Sequence, residues 1–269
     1  MSQSADSVQE LRNLYIDLLR NALTHSLWEQ SEQADTLVPG LLKRAAPSLF
    51  GRNKGSSKDR EEGRVWPELA HTMIGLPRLE NLRHCVETVI TEDIDGDLIE
   101  TGVWRGGACI FMRGILKAYG CTTRKVWVAD SFAGLPAPDT SRAPADKGDK
   151  HQHYKQLAVS LEQVQENFRT FGLLDEQVQF LKGWFKDTLP TAPIKRLAVC
   201  RLDGDMYEST DDALRNLYDR LVPGGFLIVD DYGAVPGCKQ AVEDFREAKN
   251  IKEPMHSIDW TGIYWRKEH

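Results

Sequence analysis

No run of this sequence is apolar for long enough to cross a bilayer. The richest stretches, Leu197-Ala198-Val199-Cys200 and Phe226-Leu227-Ile228-Val229, are strand-length, whereas a membrane helix needs about 20 apolar residues. Met1 to Glu10 is polar and holds no signal-peptide core, so a cytoplasmic location without a membrane partner is the default expectation. Cysteine is sparse, with five residues (Cys85, Cys109, Cys121, Cys200, Cys238) and no C-x-x-C spacing. That argues against a disulfide framework or a zinc site. Cys109 and Cys200 lie in apolar surroundings and read as core packing. Positive charge is also short: 34 Lys and Arg face 40 Asp and Glu, a net charge of -6, which speaks against a broad nucleic-acid-binding surface. Internal repeats and a true G-x-G-x-x-G are missing as well.

What remains suits one α/β domain with an N-terminal extension in 269 residues. Residues 1–64 read as a helical extension and a mobile loop, the helix serving as a lid, as a dimer contact or as core packing on its own domain, and 65–269 as the main domain. From Ser7 to about Trp28, Val8, Leu11, Leu14, Tyr15, Leu18, Leu19 and Leu23 recur at helical spacing, with a possible capping box at Ser7–Glu10. Gly51 to Arg64 contains no large apolar residue and reads as a solvated loop. Pro77 suits the first turn of a helix whose apolar face is Leu79, Leu82, Val86 and Val89. Strand candidates then follow at Asp97–Val103, Lys125–Phe132, Val178–Phe185, Leu197–Asp205 and Gly225–Tyr232, separated by helical stretches. That alternation predicts a parallel sheet with helices on both faces. The tail differs, because His256–Trp260 and Gly262–Arg266 sit close enough for an antiparallel hairpin. The expected sheet has seven strands, mostly parallel, with one antiparallel edge strand. The reversal argues against a plain dinucleotide dehydrogenase.

Ligands of such sheets sit outside the carboxyl ends of the strands. The first candidate strand ends in Glu100-Thr101-Gly102-Val103-Trp104-Arg105-Gly106-Gly107. The glycines allow a tight turn and close approach to a ligand, although a turn without a ligand is the plain alternative. Glu100 falls where the charged amino-acid part of a bound nucleoside would lie. Asp130, ending the second strand, suits both ribose hydroxyls or, alone, a helix cap. Trp184, after the third, flanks an adenine or packs in the core. The fourth and fifth strands end in Asp203-Gly204-Asp205 and Asp230-Asp231. Carboxylates crowded together repel and raise their own pKa values. Arg201 is the one nearby cation in the sequence, so a hard divalent ion, Mg²⁺ or Ca²⁺, is the natural partner. Helix capping by Asp203 or Asp231 is the simpler alternative.

These same residues carry a resemblance. Leu98-Ile-Glu-Thr-Gly-Val-Trp-Arg-Gly-Gly, Val128-Ala-Asp-Ser-Phe-Ala-Gly-Leu-Pro, Leu202-Asp-Gly-Asp-Met-Tyr-Glu-Ser-Thr and Val229-Asp-Asp-Tyr resemble the macrocin O-methyltransferase family of sugar methyltransferases. The likeness extends through Ala70-His-Thr-Met-Ile-Gly and Asp259-Trp-Thr-Gly-Ile-Tyr-Trp, covering roughly residues 65 to 266. It implies a Rossmann-like class I methyltransferase fold, S-adenosylmethionine and Mg²⁺, and methyl transfer to a (deoxy)sugar hydroxyl of a natural product such as an antibiotic. By position, it implies that Asp203, Asp230 and Asp231 hold the metal and that Asp205 is the general base. It places the methyl donor against Thr72, Met73, Glu100, Thr101, Gly102, Val103, Asp130, Ser131, Phe132, Ser160, Gly183, Trp184 and Phe185. It also suggests a homodimer or higher homo-oligomer.

A sugar hydroxyl is far too weak an acid for an ordinary Asp to deprotonate unaided, and a metal changes that balance. Two neighbouring hydroxyls are expected to chelate the ion, which would select the one that is methylated. His151 and His153, on the loop Asp139–Tyr154, serve as a proton shuttle or as ordinary solvated histidines. Three rival readings share part of this pattern: a phenolic or catechol O-methyltransferase, a nicotinamide-dependent oxidoreductase and a non-catalytic scaffold. The oxidoreductase gives no reason for Asp203, Asp230 and Asp231, and an intact carboxylate set weighs against the scaffold.

Overall fold

The structure, a computed structural model, describes residues 2–28, 36–37 and 56–269. Strand β1 (Thr36–Leu37) pairs antiparallel with β2 (Val65–Trp66) as a separate small ribbon. The main sheet has seven strands among the described residues: β3 (Asp97–Thr101), β4 (Val126–Asp130), β5 (Val178–Lys182), β6 (Leu197–Leu202), β7 (Leu221–Val229), β8 (His256–Ser257) and β9 (Ile263–Arg266). Their spatial order is β5-β4-β3-β6-β7-β9-β8. The pairs from β5 across to β7 are parallel, whereas β9 runs antiparallel to β7 and β8 closes the edge beside it. The tail hairpin is therefore present, with the reversed strand lying just inside the edge. The chain order reverses between β3 and β6, where an open α/β sheet forms its ligand crevice.

Alternation along the strands divides the core into two layers, because successive side chains point to opposite faces. Leu98, Val128, Val199 and Ile228 face one layer with α3 (Leu76–Thr91) and α4 (Gly107–Ala118). Ile99, Ala129, Cys200 and Leu227 face the other, with α7 (Tyr207–Leu217) and α8 (Pro236–Ala248). Pro77 sits in the first turn of α3, and Leu79, Leu82, Val86 and Val89 are buried as the spacing predicts. Phe111, on α4, is fully buried in the first layer; truncating such a side chain to Ala costs about 3–5 kcal/mol.

Helix α1 (Ser2–Leu23) packs on α4 through Ile16, Leu19 and Leu23. It begins earlier than its spacing predicts. Ser7, expected at its start, therefore lies inside the helix; His25, with φ of +60°, turns the chain away after Leu23. Leu19 fits over Gly114, where a Cβ would stand 2.1 Å from its Cδ2. Val8, Leu11, Leu14 and Leu18 form an exposed apolar row on the other side.

The loop expected over Gly51–Arg64 differs for residues 56–64, while 51–55 lie outside the described residues. Helix α2 (Ser57–Glu61) forms there because Ser56 and Asp59 make a reciprocal capping box. The carbonyls that follow are tied down: Trp260 Nε1 donates to Glu62 O at 2.9 Å and Arg78 Nη2 to Gly63 O at 3.2 Å. Helix α5 (Leu161–Thr170) starts where Ser160 caps it, accepting from Gln163 N, and the short α6 (Phe185–Thr188) follows β5. Among the described residues, no helix is long and apolar enough to cross a membrane.

Candidate active site

A cleft of about 1110 Å³ opens at the carboxyl ends of the parallel strands. Its floor is made by the residues that end each strand: Glu100 on β3, Asp130 on β4, Gly183-Trp184 after β5, Asp203 after β6 and Asp230 after β7. Thr72, Met73, Gly102, Val103, Ser131, Phe185, Asp205 and Asp231 also line it. The expected site residues therefore converge, with three exceptions. Thr101 and Phe132 are buried behind the floor. Ser160 lies outside this cleft, at the start of α5, where its hydroxyl serves the helix.

Local geometry explains the half of the cleft lined by Gly102, Asp130 and Trp184. Gly102 has φ of +83°, and a Cβ there would sit 1.7 Å from Asp203 O, so only glycine lets β3 and β6 approach so closely. Gly107 likewise lies against His71 O, at 2.4 Å from a notional Cβ. Gly106 and Gly107 thus draw protein segments together, bringing Thr72 and Met73 to the cleft, and do not themselves line it. Asp130 accepts from Val103 N and Phe132 N, both at 2.7 Å. Burial raises its pKa, opposed by these backbone hydrogen bonds. Trp184 is half-buried and lines the cleft, outside both core layers.

The other half is acidic. Ligand atoms of Asp203, Asp230 and Asp231 lie within 4.8 Å of one another. Asp205 sits in a left-handed turn with φ of +57°, an uncommon conformation that Asp tolerates better than most residues. Its backbone N–H donates to Asp231 Oδ2 at 3.1 Å. Two buried guanidinium groups compensate part of the charge. Arg201 contacts Glu100, Asp203 and Asp230. Arg78, from the first turn of α3, contacts Asp230 and donates to Asp259 at 3.0 Å. Arg78 is the cation that sequence reasoning missed. It lies in phase with buried Leu82 and Val86, and an arginine on the apolar stripe of a helix is the signal that marks it.

Even so, carboxylates outnumber cations. Burial pushes the Asp203 carboxyl up to about 8, with the charge of Asp230 adding to the effect. Asp231 is raised well above its ordinary value by burial and by the neighbouring Asp205 and Asp203 charges. Asp205 is raised by burial, against the opposing pull of His151. Such a set either holds protons or holds a cation. A hard divalent ion fits it: three carboxylates converge, and although Asp230 shares both oxygens with arginines, a carboxylate has about four lone-pair sites.

The 139–154 loop forms the opposite wall and is docked on α7. Asp146, only 3% exposed, accepts from Tyr207 N at 2.7 Å and Glu208 N at 3.0 Å, capping the helix from another segment. Arg142 pairs with Glu208 and Asp212. The two loop histidines separate: His151 faces the cleft, whereas His153 is exposed outside it. Trp66, Tyr154 and Trp260 add aromatic surface, with the Trp66 and Tyr154 rings 5.1 Å apart and the Arg64 guanidinium 4.6 Å from the Trp260 ring.

Residues 12–267 match the Macrocin-O-methyltransferase (TylF) family model. The chain is 51% identical over 259 residues to 8-demethyl-8-(2,3-dimethoxy-alpha-L-rhamnosyl)-tetracenomycin-C 4'-O-methyltransferase of Streptomyces olivaceus, covering 96% of this chain and 94% of that protein. It is 48% identical over 257 residues to mycinamicin III 3''-O-methyltransferase of Micromonospora griseorubida, covering 94% of this chain and 96% of that one. The solved structure of the O-methyltransferase NovP superposes with a TM-score of 0.86 at 49% identity, over 96% of this chain and 100% of that chain. The chain belongs to the macrocin O-methyltransferase family and is an O-methyltransferase, for which the family implies S-adenosylmethionine as methyl donor.

Proposed function

We propose that this enzyme transfers a methyl group from S-adenosylmethionine to a hydroxyl of a (deoxy)sugar carried by a natural product, with Mg²⁺ held by Asp203, Asp230 and Asp231. The observation that carries the metal reading is the convergence of those three carboxylates beside Asp205, with more acid than Arg78 and Arg201 neutralise. The sugar reading draws on the relative from Streptomyces olivaceus, whose name specifies O-methylation of a rhamnosyl-bearing product.

Bound there, Mg²⁺ supplies the positive charge that makes a nearby hydroxyl acidic enough to lose its proton. The chain does the rest. Asp205 accepts the hydroxyl proton as the oxygen is alkylated, and its placement in a fixed turn sets the direction from which the acceptor enters. Arg78 and Arg201 hold Asp230 from two sides and keep it aimed. Asp130 fixes the turn at Val103 on the donor side, Trp184 walls it, and the docked loop excludes water from the reacting atoms.

Activity on a glycoside acceptor, measured after EDTA dialysis and again after Mg²⁺ addition, tests this reading. Loss and recovery of turnover, with a catechol acceptor methylated poorly under the same conditions, is the expected result. Full turnover in EDTA contradicts the metal's role, and preference for the catechol contradicts the acceptor assignment.

A further inference from the structure

His151 stands where the docked loop meets the turn after β6. Asp149 grips it twice: its Oδ1 accepts from His151 N at 2.8 Å, and its Oδ2 lies 2.6 Å from the ring Nδ1. A carboxylate on Nδ1 fixes the proton there in the neutral ring, which leaves the Nε2 lone pair free. Nε2 lies 3.6 Å from Asp205 Oδ1, longer than a hydrogen bond but within a small side-chain rotation of one. The ring edge packs against Tyr154, with centroids 5.7 Å apart. Position is secured by the Asp146 cap and the Arg142 pairs, which tie the loop to the helix that begins two residues after Asp205. The side chain is 25% exposed, so the ring reaches water at the cleft mouth.

We infer that His151, held by Asp149, is a positioning residue that takes over from Asp205 the proton of the acceptor hydroxyl and passes it to solvent. The inference rests on Asp205 being the first proton acceptor. In the full step the hydroxyl oxygen forms its bond to the methyl carbon while the carbon–sulfur bond breaks, its electron pair staying on sulfur. The hydroxyl proton goes to the Asp205 carboxylate and then to His151 Nε2. The resulting imidazolium faces Asp149, Asp146 and Asp205, with Tyr154 at its edge, and it loses the Nε2 proton to water. This arrangement resets Asp205 for the next turnover. Burial alone would lower the His151 pKa, but the Asp149 hydrogen bond and the charges of Asp205, Asp149 and Asp146 outweigh it and raise the value. The charge the ring gains is therefore stabilised where it forms.

The test compares His151→Ala, His151→Gln and Asp205→Asn in the full-length enzyme with Mg²⁺, donor and acceptor, after thermal unfolding confirms that each is folded. Both His151 variants are expected to lose about 10- to 100-fold in kcat, with acceptor KM and donor Kd changing less than ~3-fold. Free imidazole should restore turnover of His151→Ala and leave Asp205→Asn unaffected. The wild-type fall in kcat on the acid side, where His151 is already protonated, should be missing from His151→Gln. Normal kcat in both His151 variants, with Asp205→Asn inactive, overturns this inference and leaves the Asp205 assignment standing. Turnover retained by Asp205→Asn overturns both. A defect confined to KM and unresponsive to imidazole assigns His151 to loop packing alone and also overturns the relay.

Discussion

Replacing Arg78 with Met removes a buried cation while keeping most of the side-chain volume. Arg78 is 6% exposed and serves Asp230, Asp259 and the Gly63 carbonyl. Breaking a buried ion pair on one side costs about 3–5 kcal/mol because the abandoned charge stays buried. Two features put this site at the lower end of that range. Asp230 keeps Arg201, and Asp259 keeps the backbone N–H groups of Thr261 and Gly262 at 2.9 and 2.8 Å. A loss of about 3 kcal/mol corresponds to a Tm drop of roughly 6–12 °C for a chain of this size. Thermal unfolding of the metal-free protein reads it. The variant's carboxylate cluster is more negative, so Mg²⁺ should raise Tm by more in Arg78→Met than in the wild type. A Tm within ~2 °C of wild type, or an equal response to Mg²⁺, refutes the view that Arg78 balances this cluster.

Other outcomes follow from the same geometry. Asp205→Asn should lower turnover at least ~100-fold and leave donor affinity by calorimetry nearly unchanged. Asp203, raised to about 8, holds a proton at pH 7 in the metal-free protein. Asp231 is raised as well, so Mg²⁺ binding should release at least about one proton, measured by calorimetry in buffers of different ionisation enthalpy; no buffer dependence contradicts it. A folded-state pKa above the unfolded one gives stability that is present below the ordinary carboxylate range and lost as pH rises toward that value. Raising pH from about 4 to about 8 should thus destabilise the metal-free wild type relative to Asp203→Asn, and Mg²⁺ should remove the difference. Asp146→Ala should cost about 1 kcal/mol through loss of the α7 cap, seen in denaturant unfolding, and raise acceptor KM as the loop loosens.

The sheet was legible because its strands are short aliphatic runs separated by helical stretches; buried on both faces, they then divide neighbours such as Leu98 and Ile99, or Leu227 and Ile228, between the two core layers. The site was legible because ligands gather at strand ends, and Asp203, Asp230 and Asp231 sit there with strand-length runs before them. Contacts between distant segments were not legible. Arg78 reaches Asp230 across 152 positions, and Asp146 caps a helix that begins 61 positions later; no local pattern encodes either. Residues 56–64 read as solvated loop because they lack apolar side chains, yet their carbonyls are held by Arg78 and Trp260. Ser160, placed at the methyl donor by resemblance alone, caps α5, and its place outside the cleft is one that no local pattern in the sequence encodes.

The central claim is that a divalent ion sits among three aspartates and activates the hydroxyl. Anomalous diffraction from crystals grown with Mn²⁺, S-adenosylhomocysteine and a glycoside acceptor tests it most directly. The account predicts one Mn²⁺ peak about 2.0–2.3 Å from carboxylate oxygens of Asp203, Asp230 and Asp231, with an acceptor hydroxyl beside Asp205. A peak elsewhere, or those carboxylates still paired only with Arg78 and Arg201 at saturating Mn²⁺, would contradict it.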